Sequence, residues 1–259
     1  MAYDIKLRMK NKKGQIAIWV IMAIVIVVII SMLFLFNKKP IAIKTDEINV
    51  QNQIDKCARD AANEAVDKML PQGGFIEPTN YKTYNNIKVS YLCQNNGYFK
   101  PCISQHPMLL NEEIKEIKDY VEPRVEQCFL STKQELEKRK YSVEMKPMQL
   151  NVSLGTNRIY VYINREISVS KNEQAQKFET YNVELTNPLY DLSKVAIEIA
   201  SQEAKYCYFE YVGYMILYPR FSIQKFAISD STKIYTIEDK QSKKEMNIAI
   251  RSCAITPGI

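Results

Sequence analysis

Apolar side chains occupy Ile16 to Phe36 with Ser31 as the one interruption. At about 1.5 Å of rise per residue, such a run spans roughly 30 Å, the thickness of a bilayer's hydrocarbon core. It shows no polar face at intervals of three or four, as a soluble amphipathic helix would. The pattern therefore predicts a transmembrane helix over 15–37. Beyond it the periodicity changes. Ile48, Ile54, Cys57, Ala58, Ala61, Ala65 and Met69 recur mostly at steps of three and four, which predicts a helix over Thr45–Leu70. Thr45-Asp46-Glu47 would supply its cap and first-turn acids, and Pro71-Gln72-Gly73-Gly74 its stop. A break at Pro40 would make this helix a stalk above the membrane.

Residues 75–110 read as irregular chain enclosing a hairpin. Ile87–Leu92 alternates, Gln94-Asn95-Asn96-Gly97 carries an Asn-Gly turn signal, and Tyr98–Ile103 returns. Asn111 is then expected to cap a helix over Glu112–Lys138, with Ile114, Ile117, Val121, Val125, Cys128 and Phe129 inward and Pro123 kinking or splitting it. Tyr141–Glu184 holds the strongest alternation: Gln149–Leu154, Arg158–Ile163, Ile167–Ser170 and a return over Phe178–Leu185. That predicts an antiparallel meander covered on one face. A third helix follows over Asp191–Tyr208, then an aromatic-rich stretch to Phe226, and strands at Lys233–Ile237 and Met246–Ile250 close the chain. The expected fold class is α+β.

Charge and cysteine usage orient this arrangement. Lys6, Arg8, Lys10, Lys12 and Lys13 precede the apolar run against Asp4 alone, which places the N-terminus in the cytoplasm by the positive-inside rule. All six cysteines follow the run: Cys57, Cys93, Cys102, Cys128, Cys207 and Cys253. An even set confined to one side suits an oxidising compartment. Zinc is not expected, since no Cys-x-x-Cys occurs and His106 is the single histidine. Six cysteines allow 15 pairings. Element adjacency favours Cys57–Cys128 between helices, Cys93–Cys102 across the hairpin and Cys207–Cys253 from helix to final strand. The expected domains are a cytoplasmic basic leader at 1–14, the membrane helix at 15–37 and an extracytoplasmic domain at 38–259.

Lys12-Lys13-Gly14-Gln15 directly before the apolar run resembles the class III signal peptide of archaeal type IV pilin-like proteins. That resemblance implies cleavage between Gly14 and Gln15 and self-association through the helix that follows. Trp19 stands where many members of that family carry a glutamate. A looser likeness runs through much of the chain. It is carried by Lys-Gly-Gln before the anchor, by Ile54-Asp55-Lys56-Cys57 on an Ala-rich helix ending in Gln72-Gly73-Gly74-Phe75-Ile76, and by Tyr120-Val121 ahead of Cys128-Phe129. It resembles uncharacterised anchored proteins of small-genome archaea, which implies surface exposure and no particular activity.

Candidate chemistry is sparse. His106 lies in the loop-like Ser104-Gln105-His106-Pro107, without the converging base, nucleophile and acid that a triad needs. Gly73-Gly74 follows a helix and opens no phosphate loop. Glu112-Glu113, Glu135 and Glu137 read as solvated charge on helix faces. The net charge is +6, of which the leader supplies four, so the remaining domain is near neutral and a nucleic-acid partner is not expected. Lys138-Arg139-Lys140 and Lys243-Lys244 read as solvated turns. Tyr206–Phe226 reads as core packing on the sheet, with an adhesive face as the functional alternative. Asn151-Val152-Ser153 is a lone N-glycosylation sequon. The sequence thus points to a cell-surface protein without enzymatic activity or cofactor. Its expected partners are the lipid bilayer and an envelope or cell-surface protein. A pilin-like filament subunit is the alternative, and an anchored hydrolase a third class without a nameable site.

Overall fold

The computed structural model of the chain describes residues 22–32, 49–97, 100–172 and 174–253. The chain divides into two compact units, Met1–Glu47 and Ile48–Ile259. In the first, residues 22–32 form helix α1, and Ser31 Oγ donates to the Val27 carbonyl at 3.0 Å within it. No helix among the described residues is long and apolar enough to cross a membrane. The leader, the Gly14–Gln15 junction, both ends of the expected membrane helix and the segment around Pro40 lie outside the described residues.

The second unit is α+β. Helix α2 (Val50–Met69) is capped by Asn49, whose side chain accepts from the Asn52 amide. Its small-residue stripe, Ala58, Ala61, Ala62 and Ala65, is buried and lets α3 (Leu109–Lys138) approach closely. A 3-10 turn over Leu70–Gln72 ends α2, with Gly73 left-handed at φ +78. Helix α3 begins earlier than expected. Met108 is its N-cap residue and Asn111 lies in the first turn, donating its amide to the Met108 carbonyl. Pro123 does not split α3, which is assigned as one helix of 30 residues. The proline sits on the exposed side, where the carbonyl it leaves unbonded can be hydrated.

Helices α2 and α3 pack on a four-stranded antiparallel sheet: β4 (Ser142–Met145), β5 (Gln149–Gly155), β6 (Arg158–Lys171) and β7 (Gln174–Thr186). The expected pair of strands at Arg158–Ile163 and Ile167–Ser170 is one strand, because a register shift between Asn164 and Ile167 carries β6 past the polar residues. That long strand pairs with β7 along one edge, and with β5 and β4 in turn along the other. Leu150, Val152, Ile159, Val161, Ile163, Tyr181 and Val183 face the helices.

The other sheet runs β1 (Tyr81–Tyr84), β2 (Ile87–Gln94), β10 (Lys244–Arg251), β9 (Thr232–Asp239) and β8 (Phe221–Ala227), with β3 (Ile103–Ser104) added to β2. The β10–β2 pairing is parallel and the rest are antiparallel. Strand β1 was not expected. It joins β2 through Asn85-Asn86, both at positive φ, a two-residue hairpin turn that asparagine tolerates. The returning strand after Gln94-Asn95-Asn96-Gly97 is only the two residues of β3, and 98–99 lie outside the described residues. Helix α4 (Leu189–Tyr206) packs on this sheet, and α5 (Tyr211–Leu217) leads into β8.

Three disulfides close the fold: Cys57–Cys128 joins α2 to α3, Cys93–Cys102 lies beside the β2–β3 pairing, and Cys207–Cys253 ties the end of α4 to the residues after β10. Their Cα separations are 6.6, 5.4 and 5.4 Å, within the range a cystine spans.

Candidate functional site

The aromatic-rich stretch after α4 divides between core and surface. Cys207 caps α4 in a left-handed conformation at φ +55, donating its amide to the Glu203 carbonyl. The chain turns inward there, and buried Phe209 meets Tyr235 edge-on at 6.2 Å. Glu210 then caps α5, accepting from the Gly213 amide at 3.2 Å and the Tyr208 hydroxyl at 2.6 Å. The Tyr208 hydrogen bond, followed by that amide, holds the Glu210 carboxyl below its usual range. Tyr214 meets Phe209 at a tilt with ring centroids 5.4 Å apart, Met215 sulfur accepts from the Ile223 amide, and together they seat α5 on β8.

The outward residues of α5 are equally apolar. Ile216 is 76% and Leu217 75% exposed, with Val212 and Tyr218 beside them about half exposed. Tyr208 is exposed as well, and Lys225 lies 5.0 Å from the ring centroids of both Tyr208 and Tyr211. A short helix that is apolar on both faces has one face in contact with its own domain and a second free to meet another surface. Exposed aliphatic and aromatic side chains rimmed by a cation are the composition of a protein-docking site. Of the expected aromatic stretch, Phe209 and Phe221 belong to the core, while Tyr206, Tyr208, Tyr218 and Phe226 are exposed.

Behind this surface lies a buried polar network that the sequence pattern did not reveal. The Glu203 carboxylate, fully buried, accepts from Lys233 Nζ at 2.9 and 2.6 Å, from the Tyr235 hydroxyl at 2.5 Å and from Ser252 Oγ at 2.6 Å. Lys233 Nζ also donates to the Cys207 carbonyl at 2.8 Å. Burial, then the neighbouring Glu203 charge, pushes the Tyr235 hydroxyl far above its ordinary pKa. The network joins α4, β9 and Ser252 just after β10, next to the Cys207–Cys253 bridge, so the base of the exposed surface is rigidly held.

His106 is held on both nitrogens. Its Nδ1 lies 2.6 Å from Glu112 Oε2, its Nε2 3.5 Å from Ser90 Oγ, and its ring meets that of Phe75 at a tilt, with centroids 4.4 Å apart. The order carboxylate–imidazole–hydroxyl matches that of a hydrolytic triad. Ser90, however, is buried, and a Cβ placed on Gly73 would fall 3.1 Å from its Cβ, so its hydroxyl does not face open solvent as a nucleophile's would. The contacts instead pin the 105–107 loop to α3. His106 also edges an open groove of about 350 Å³ whose floor is Leu92, Leu109, Ile197 and Ala200.

Glu113 departs from the expected solvated charge. It is fully buried, with Oε1 accepting from Ser193 Oγ at 2.7 Å and Oε2 unpartnered among the described residues. Burial raises its pKa well above the ordinary carboxylate value. Gly74, at φ +93, makes room for it: a Cβ there would fall 2.5 Å from Glu113 Oε1. Its neighbour Glu112 stays at the surface on His106. Among the described residues no cluster of three or more His, Cys, Asp or Glu is placed to hold a metal ion. Within the expected basic turns, Arg139 pairs with Glu135, Lys243 with Glu238 and Lys244 with Asp67. Asn151 lies exposed on β5.

No family model matches the chain, and no curated protein or solved structure matches it either.

Proposed function

We propose that the chain is a single-pass, membrane-anchored cell-surface protein whose disulfide-closed α+β domain has a structural or interaction role at the envelope. The observation that carries this reading is the placement of the cysteines. All six follow the apolar run 16–36, and all six are paired within the one domain. Such bridges form and persist mainly in oxidising compartments, which supports a domain across the membrane from the basic leader. The exposed apolar side of α5 supports an interaction role, because a free aliphatic–aromatic surface is retained where it meets a partner.

A second reading, a pilin-like filament subunit cut between Gly14 and Gln15, is favoured by the Lys12-Lys13-Gly14-Gln15 junction alone. Two measurements on protein recovered from membranes test both. A membrane-impermeant protease added to intact cells should digest the domain, and protection until lysis would overturn the surface placement. An intact mass beginning at Gln15 would establish the filament-type processing, and an uncut leader would exclude it.

A further inference from the structure

The four-stranded sheet turns one face to α2 and α3 and leaves the other open. On that open face the strand register places Asn151 of β5 opposite Tyr162 of β6, and Tyr162 opposite Asn182 of β7. The next row is Ser153, Tyr160 and Glu184. The rings of Tyr160 and Tyr162 are nearly parallel, at 12°, with centroids 6.1 Å apart, and Tyr162 is 44% exposed. Around them stand amides and hydroxyls, and the Arg158–Glu184 cross-strand pair cancels its own charge. Among the described residues the side chains of Asn151, Tyr162 and Asn182 make no hydrogen bond to protein. The face thus carries a self-compensating charge pair, two tyrosines at its centre and three polar side chains without a hydrogen bond to protein.

Asn151 is also the acceptor position of the chain's lone Asn-x-Ser sequon. Residues directly opposed on neighbouring strands have Cβ atoms about 5 Å apart, so a group carried on Asn151 has the Tyr162 ring within immediate reach. The C–H faces of a pyranose pack on aromatic rings, and its hydroxyls pair with side-chain amides such as Asn182. We propose that Asn151 carries an N-linked glycan whose first sugar residue lies on Tyr162. This rests on the extracytoplasmic placement proposed above, because the donor is a lipid-linked oligosaccharide presented on that side. A bond forms between Asn151 Nδ2 and the anomeric carbon, the bond from that carbon to the carrier's phosphate oxygen breaks, and the amide gives up one proton. Strand alternation keeps the attached sugar on the solvent side, so the core residues Leu150 and Val152 are undisturbed.

The test uses the full chain from membranes of its own cells. Mass spectrometry of the peptide containing Asn151 should show a saccharide increment that Asn151→Gln abolishes. Tyr162→Ser should lower the thermal midpoint of the glycosylated protein by about 2 °C and leave that of the Asn151→Gln protein unchanged. An unmodified Asn151 in protein whose six cysteines are all oxidised overturns the glycan and leaves the surface reading intact. Six free thiols overturn the surface reading and the glycan with it. A Tyr162→Ser shift equal in both backgrounds overturns the contact with the sugar.

Discussion

Lys233 Nζ on β9 lies 2.6 Å from Glu203 Oε2 on α4, and this pair holds the C-terminal end of α4 to the sheet. Glu203 has no exposure and Lys233 little, so neither can exchange its partner for water at low cost. Lys233→Met should destabilise the domain by about 3–5 kcal/mol, because the carboxylate stays buried without its counter-charge. Adding Glu203→Gln to that variant should recover part of the loss. Urea unfolding of the two variants checks both statements, and equal stability of single and double variant would contradict the coupling.

Glu113 predicts a pH dependence. Its native pKa lies above its unfolded value, so the native state binds the proton more tightly. The corresponding stability is fully present below the unfolded pKa of about 4.3, and it is lost as pH rises toward and through the raised native value. Glu113→Gln keeps a neutral group of the same shape against Gly74 and Ser193. The variant should therefore gain on the wild type as pH rises, when both are unfolded in urea at pH 5 and pH 8. A constant difference between them would show that burial of Glu113 does not set this slope.

The disulfides should contribute unequally. Cys57–Cys128 spans 71 residues and Cys93–Cys102 spans 9. In the chain-entropy model these loops correspond to about 4 and about 3 kcal/mol. Replacing the first pair with alanines should thus lower the midpoint of denaturant unfolding more than replacing the second, provided the remaining bridges stay oxidised. Thiol titration of the unreduced protein should find no free cysteine.

The α5 surface predicts a separation of binding from folding. Ile216→Glu with Leu217→Glu should change stability by less than about 0.5 kcal/mol, since neither side chain has packing to lose. The same pair should abolish contact of the domain with its envelope or cell-surface partner, measured by chemical crosslinking of the full chain in intact membranes. An unaltered pattern of crosslinked products would remove α5 from the interaction.

Buried alternation was readable along β5, β6 and β7, because a half-covered sheet imposes period two on every strand. The bulge that carries β6 through both stretches was not, since the polar run Asn164-Arg165-Glu166 interrupts the alternation. In the structure Arg165 is instead buried, pairing with Glu126 and lying 4.9 Å from the Phe129 ring. Pro123 misled for a related reason: its effect depends on whether the freed carbonyl faces solvent, which helix packing alone decides. Glu113 and Glu203 follow the helical spacing of buried positions, at i−4 from Ile117 and i+4 from Ile199, and that spacing was the available signal. Charge identity had masked it.

What the sequence determined by itself was local: the apolar run 16–36, the grouping of cysteines beyond it, the helix stripes and the strand alternation. Each is read from the composition or the period of one stretch of chain, so one chain suffices to read them. Tertiary structure decided what depends on distant partners. It placed Lys233 on Glu203, buried Glu113 behind a glycine, left Ile216 and Leu217 of α5 exposed, and set Asn151 across from Tyr162. Each of these is a desolvation or a contact between strands and helices far apart in the chain, and no local pattern encodes which residue will stand opposite.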